Sequence, residues 1–199
     1  GQLAREIDAL GGEMGINTDK SALQYKRLNT SKGPAVRSSR AQCDKVFYSL
    51  RMKETVEREP NLSVIQREVR RFHVEHGRVC GVYTQFDELY RCQAVILTAG
   101  TFMRSVMHCG QNQSEGGRAG DSSANHISVS LKELGFDLLR LKTGTPARLK
   151  KGSIRFEVLQ REDGDKEPVP FSFYTIPNPF PLLEQQPCFL TYSNSFTHE

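Results

Sequence analysis

No apolar run in this chain approaches the roughly 20 residues that a helix needs to cross a bilayer, which excludes an α-helical membrane span. The opening GQLAREIDAL alternates charged and apolar positions at helical spacing and has none of the apolar core of a signal peptide. Nothing addresses the chain elsewhere, so a cytoplasmic location is expected. Cysteine is sparse and unpatterned: Cys43, Cys80, Cys92, Cys109 and Cys188 form no CxxC pair, and no histidine stands at zinc-ligand spacing. Such a set reads as reduced thiols, not as a disulfide frame or a metal site. The five histidines form no catalytic arrangement, and His73 and His76 read as surface residues of a strand and its turn. Internal repeats are lacking, and low-complexity sequence is confined to a Gly/Ser-rich stretch at 110–125.

What remains is the composition of a globular protein. The chain has 199 residues, 37% hydrophobic and 25% charged, enough for one large domain or two small ones. A net charge of +4 permits an RNA partner without demanding one. The first residues already lie within an amphipathic helix, and the last follow an apolar run, CFLTY. Neither end reads as a natural terminus, so an internal piece of a longer protein is expected.

Periodicity gives the elements. Leu3, Ile7 and Leu10 share one helical face, and Gly11-Gly12 supplies the stop. A polar segment runs to Tyr25. Residues 28–40 (LNTSKGPAVRSSR) are too rich in Gly, Pro and Ser for a regular element until about Val36. From Ser39, a stripe through Ala41, Val46, Leu50, Met52 and Val56 predicts a helix ending before Pro60. Residues 62–66 predict a short strand, and alternation over 68–75, 79–85 and 89–92 predicts an antiparallel β-meander spanning about 62–93. AVILTAG at 94–100 reads as a strand buried on both faces, as in a parallel sheet. A surface loop over 110–125, a short helix over 128–134 ended by Gly135, and a strand over 138–143 follow. Beyond Gly144 the prolines and short apolar runs predict a β-rich region with long connections.

Four places carry possible chemistry. Small residues Thr98, Ala99 and Gly100 at the end of a buried strand let a ligand approach the backbone, although the same tripeptide serves turn geometry alone. In residues 28–40, Lys32, Arg37 and Arg40 surround a Gly-Pro turn among hydroxyls from Thr30, Ser31, Ser38 and Ser39. Cations with directed donors can hold an anion; the same residues can equally cap a helix with their charges in water. Lys142 and Arg148 pose that question again around another Gly/Pro turn, and Arg118 sits in the glycine-rich 116–120. The GxGxxG phosphate loop of a dinucleotide-binding domain is absent from these residues, because GGRAG neither follows a strand nor opens a helix.

Five strings in order, GQLAREIDALGGEMG, LNTSKGPAVRSSRAQCDK, AVILTAGTFM, SEGGRAGD and RLKTGTPAR, resemble the MnmG (GidA) family over essentially the whole chain. The resemblance implies an α/β fold: part of an FAD-binding, Rossmann-like two-dinucleotide-binding flavoprotein domain over 1–109, then an inserted substrate-side α/β region over 110–199. It implies an FAD- and NADH-dependent enzyme that works with the GTPase MnmE. Its reaction would add a carboxymethylaminomethyl or aminomethyl group to carbon 5 of the wobble uridine of tRNA. The family is cytoplasmic in bacteria and homodimeric. By position, Val69 falls at the adenine-side backbone contact, Thr98, Ala99 and Gly100 line the FAD site, and Ala124 falls at a further FAD contact where relatives often have Ser. Lys32, Arg37 and Arg40 match the SKGPAVRxxR loop, expected near flavin or tRNA. No cysteine falls in a catalytic motif of the family, so no catalytic residue is assigned. A folate- and FAD-dependent tRNA uridine methyltransferase, or an RNA-binding module without redox chemistry, is the alternative.

Overall fold

Residues 1–176 and 179–195 are described by the computed structural model of the protein. They fall into two compact units, Gly1–Val64 with the described part of Arg148–Glu199, and Ile65–Ala147. These units cut across the sequence division at residue 109, because the chain leaves the first unit at Val64 and returns to it at Arg148.

In the first unit, α1 (Gln2–Ala9) ends where Gly11 takes φ +90°, a conformation that costs glycine no Cβ clash. The freed amides of Gly11 and Gly12 bond back to the carbonyls of Asp8 (2.8 Å) and Ile7 (3.0 Å). The supposed polar segment after it is in fact α2 (Glu13–Ser21) and β1 (Ala22–Leu28). Periodicity misses α2 because the side it buries is polar: Asn17, Thr18, Asp19 and Ser21 are all inside.

β2 (Ser38–Cys43) pairs antiparallel with β1, from Leu28 opposite Ser38 to Ala22 opposite Cys43. A helix from Ser39 is therefore wrong. The helix α3 (Lys45–Arg58) starts later, at Asp44, whose carboxylate accepts from the Phe47 amide at 2.8 Å and caps its first turn.

The second unit contains the predicted meander: β3 (Val69–Glu75), β4 (Arg78–Thr84) and β5 (Leu89–Arg91), in that order and antiparallel. Its first turn uses His76 and Gly77, both at positive φ, which matches the twist of a tight hairpin. The strands expected at 62–66, 94–100 and 138–143 are absent; these stretches carry no ladder among the described residues. A strand exists by virtue of its hydrogen-bonded neighbour, and apolar composition cannot supply one. Ile96 is accordingly 87% exposed, not buried on both faces. The Gly/Ser stretch hides a hairpin, β6 (Val106–Cys109) with β7 (Asn112–Glu115), turned at Gly110. Helix α4 (His126–Glu133), ended by Gly135 at φ +87°, packs on β3, where the Phe72 amide donates to Ser130 Oγ at 3.0 Å.

Back in the first unit, among the described residues the expected β-rich region reduces to β8 (Gln160–Glu162) paired with β9 (Cys188–Leu190), with 3-10 turns at Lys151–Ser153 and Phe156–Val158. Its many prolines lack the amide a ladder needs. No described helix is long and apolar enough to cross a membrane.

Candidate functional site

The β1–β2 hairpin presents the basic loop at its tip. Asn29, at φ +58°, turns the chain, and its side-chain amide donates to the Val36 carbonyl at 3.0 Å. Lys32 N–H bonds to the Asn29 carbonyl at 3.0 Å, and Pro34–Val36 form one 3-10 turn. Arg37, itself exposed, bends back on the loop, its Nε donating to the Lys32 carbonyl at 3.0 Å. Lys32 stays exposed.

Arg40 stands apart from these two. On β2 it pairs with Lys26 of β1, and both cations reach Glu162 of β8: Arg40 Nη2 at 3.4 Å and Lys26 Nζ at 3.9 Å. Arg40 also donates to Gln24 Oε1 at 3.2 Å. Beside them opens a cleft of ≈ 260 Å³, walled by Tyr25, Lys26, Arg27 and Arg40, with Asp165 and Glu167 facing. Its charges oppose one another, so this wall is a satisfied ion network more than an open anion seat. Thus the SKGPAVRxxR trio divides between the hairpin tip and the cleft.

Beneath the cleft, two acids missed by sequence reasoning fix the chain. Asp19, 1% exposed, accepts from the amides of Phe171 (2.7 Å) and Ser172 (2.9 Å), the Thr175 hydroxyl (2.6 Å) and the Tyr25 hydroxyl (3.1 Å). Asp8, fully buried, accepts from the Phe173 amide at 2.8 Å. The Arg5 guanidinium lies over the Phe173 ring, 4.4 Å from its centre. Burial, and then the Asp19 carboxylate, raise the Tyr25 phenol far above its ordinary value; burial likewise raises the Cys43 thiol.

The flavin candidates all lie in the second unit. Val69 opens β3 opposite Thr84. Thr98 and Ala99 run on without a ladder into a turn at Gly100, φ +56°. The Phe102 amide donates to the Ala99 carbonyl (3.1 Å), the Ala124 amide to the Phe102 carbonyl (2.8 Å), and the Arg104 amide to the Ala124 carbonyl (3.1 Å). Ala99 and Ala124 are therefore knitted together through Phe102. Ala124 lies two residues before His126, whose ring is 3.5 Å from Glu68, the neighbour of Val69. The glycine-rich loop is pinned, not loose: Thr101 Oγ1 donates to the Gly117 carbonyl (3.1 Å), and a Cβ on Gly117 would stand 2.6 Å from the Phe102 ring. Arg118 is held by Asp121, Nε to Oδ2 at 2.6 Å. Lys142 and Arg148 are exposed, on either side of the boundary between the units. Among the described residues no cluster of three or more His, Cys, Asp or Glu could hold a metal ion.

The family described as glucose inhibited division protein A matches residues 1–199. The chain belongs to it. Its relatives include the tRNA uridine 5-carboxymethylaminomethyl modification enzyme MnmG of Geobacter sulfurreducens, 52% identical over 199 residues. The Bacillus subtilis protein of the same name is 46% identical over 199 residues. In both, the match takes in 100% of this chain and 31% of the relative, so the chain spans under a third of their length. Among solved structures, Aquifex aeolicus GidA in its form I crystal superposes with a TM-score of 0.86 at 43% identity, covering 94% of this chain and 32% of that one. The mixed α/β fold of this chain is thus the fold of that region of GidA.

Within this GidA chain, the acids that clamp 171–175 had no signal in the apolar pattern, which pointed the other way. The apolar stripe of α1 is the exposed side, with Leu3 at 74% and Leu10 at 89%, while Asp8 on the polar side is buried. Pattern reading turned that helix around.

Proposed function

We propose that the chain is part of an enzyme that, with MnmE, adds a carboxymethylaminomethyl or aminomethyl group to carbon 5 of the wobble uridine of tRNA. FAD is its flavin and NADH its reductant; the enzyme acts as a cytoplasmic homodimer. The observation that supports this reading is the end-to-end match, every residue aligning at 52% identity with a relative named for that modification. In this reading residues 1–109 serve the FAD-binding domain and 110–199 the substrate side.

Small side chains and open space support a close approach of a flavin nucleotide here. Side chains at 98–100 and 124 are small, and nothing lies within 4 Å of where a Cβ on Gly100 would stand. Val69 would meet the adenine side through its backbone, and Thr98, Ala99, Gly100 and Ala124 would line the nucleotide. Ala124 has no hydroxyl to donate, so any polar contact there comes from backbone. When bound, FAD supplies the redox chemistry and carries the carbon unit. The chain's own exposed cations, Lys32, Lys142 and Arg148, would meet tRNA phosphates. Arg37, Arg40 and Arg118 already have internal partners and would act mainly by holding loop shape.

A chimera tests this. Replacing the matching segment of the Geobacter sulfurreducens protein with this chain should give a folded flavoprotein that modifies tRNA, read by flavin absorbance and nucleoside mass spectrometry. A folded chimera without flavin would overturn the cofactor assignment. A flavin-loaded chimera that methylates uridine instead would favour the folate-dependent methyltransferase relative.

A further inference from the structure

The β-meander places the backbones of two cysteines opposite one another. The β4–β5 ladder pairs Gly81 with Arg91, Val82 with Tyr90 and Tyr83 with Leu89. The same register continues past the ladder, where the Cys92 amide donates to the Cys80 carbonyl at 3.0 Å. Cys80 and Cys92 therefore lie across from each other one step past the last ladder pair, where opposed residues of an antiparallel pair project to one face; the Cys80 Sγ now donates to the Arg78 carbonyl at 3.5 Å, a contact it would exchange for the disulfide. Both are free and partly exposed, so reagents can reach them.

We propose that Cys80 and Cys92 form a redox-active dithiol that closes to a reversible intramolecular disulfide with a small-molecule disulfide such as oxidised glutathione. A hydrogen-bonded antiparallel pair sets the Cα atoms about 5.5 Å apart, inside the range of roughly 4.4–6.8 Å that disulfides span. The Cβ atoms start about 4.5–5.5 Å apart and must come to about 3.5–4.5 Å, so the strands need to close by about an ångström. The register between β3 and β4 shifts between His73 and Val74, leaving Cys80 as the extra residue of β4, unpaired with β3. The adjustment keeps the bond reducible, since strained disulfides are the labile ones.

The chemistry balances by two exchanges. One cysteine, as thiolate, attacks a sulfur of oxidised glutathione, forming a mixed disulfide and releasing one glutathione thiolate, which takes up a proton. The second cysteine, as thiolate, then attacks the protein sulfur of that mixed disulfide and expels the other glutathione. The dithiol loses two electrons and two protons, and one glutathione disulfide becomes two thiols. The bond ties β5 to β4 immediately before residues 94–100, so its state sets how firmly that exposed run is anchored to the meander.

The test is a peptide map of the reduced, desalted chain after incubation with oxidised glutathione and alkylation of remaining thiols. A linked Cys80–Cys92 peptide is expected, with two of the five thiols lost to alkylation and full reversal by dithiothreitol. In denaturant the preference for this pair should vanish, and Cys80→Ser should leave a persistent glutathione adduct on Cys92. Stable separate adducts on both cysteines, a different pairing, or equal linkage in denaturant would each overturn the proposal.

Discussion

The Tyr25 hydroxyl donates to the Asp19 carboxylate at 3.1 Å inside the first unit, joining the first residues of β1 to the α2 helix that precedes them. The same carboxylate takes two backbone amides and a hydroxyl from 171–175, far along the chain. One buried acid thereby closes the unit across its long sequence gap.

Replacing Asp19 with Ala should unfold this closure. Two buried amides lose their acceptor, and each unsatisfied group costs about 1–3 kcal/mol. A loss of roughly 3 kcal/mol or more is expected, read as a lower urea midpoint. A midpoint within error of the parent would show that water replaces the carboxylate at no cost.

Stability should also fall in alkali through Tyr25. Its phenol is raised above the ordinary 10.0 by burial first and by Asp19 second. Above that pH the unfolded chain releases the proton and the folded chain keeps it, so unfolding is favoured as pH rises. The contribution is fully present below pH 10.0 and declines progressively above it. The stability advantage of the parent over Tyr25→Phe should therefore hold constant up to pH 10.0 and shrink only as the pH is raised beyond it.

Two glycines should respond differently to alanine. At Gly117 the new Cβ would collide with the Phe102 ring at 2.6 Å and the Thr101 carbonyl at 2.9 Å. Overpacking of this kind costs about 1–3 kcal/mol. At Gly33, in the basic loop, nothing lies within 4 Å, so thermal denaturation of Gly33→Ala should match the parent.

Lys32→Ala, made in the flavin-loaded chimera, should weaken tRNA binding and leave flavin content unchanged. If Lys32 contacts one phosphate, the slope of log affinity against log salt should fall by about 1. Loss of flavin with an unchanged slope would place this loop at the cofactor instead.

The chain alone should not retain flavin. Its 199 residues hold no GxGxxG phosphate loop, and that loop supplies the amides that grip a pyrophosphate. Stoichiometric yellow flavin surviving gel filtration of the isolated chain would refute this.

The family, the meander, the glycine stops of α1 and α4 and the presence of the basic loop were all legible in the residues. These are local matters: alternation, a left-handed glycine, a string of specific letters. Where reading failed, partners were non-local. The runs at 62–66 and 94–100 have strand composition but no described neighbour, and no residue can state from within whether its ladder exists. Helix α2 escaped because its inner side is polar, and polarity reads as surface unless its partners are known.

What the sequence determined by itself is membership of the GidA family, the glycine stops of α1 and α4 and the turns of the meander, since backbone preference and letter order act over a few residues. Tertiary structure alone decided that Arg40 leaves its loop mates for Glu162 and that Asp8 and Asp19 are interior acceptors. Each depends on chain segments distant in sequence arriving at one place, where burial makes every unpaired polar group costly and so selects the pairs.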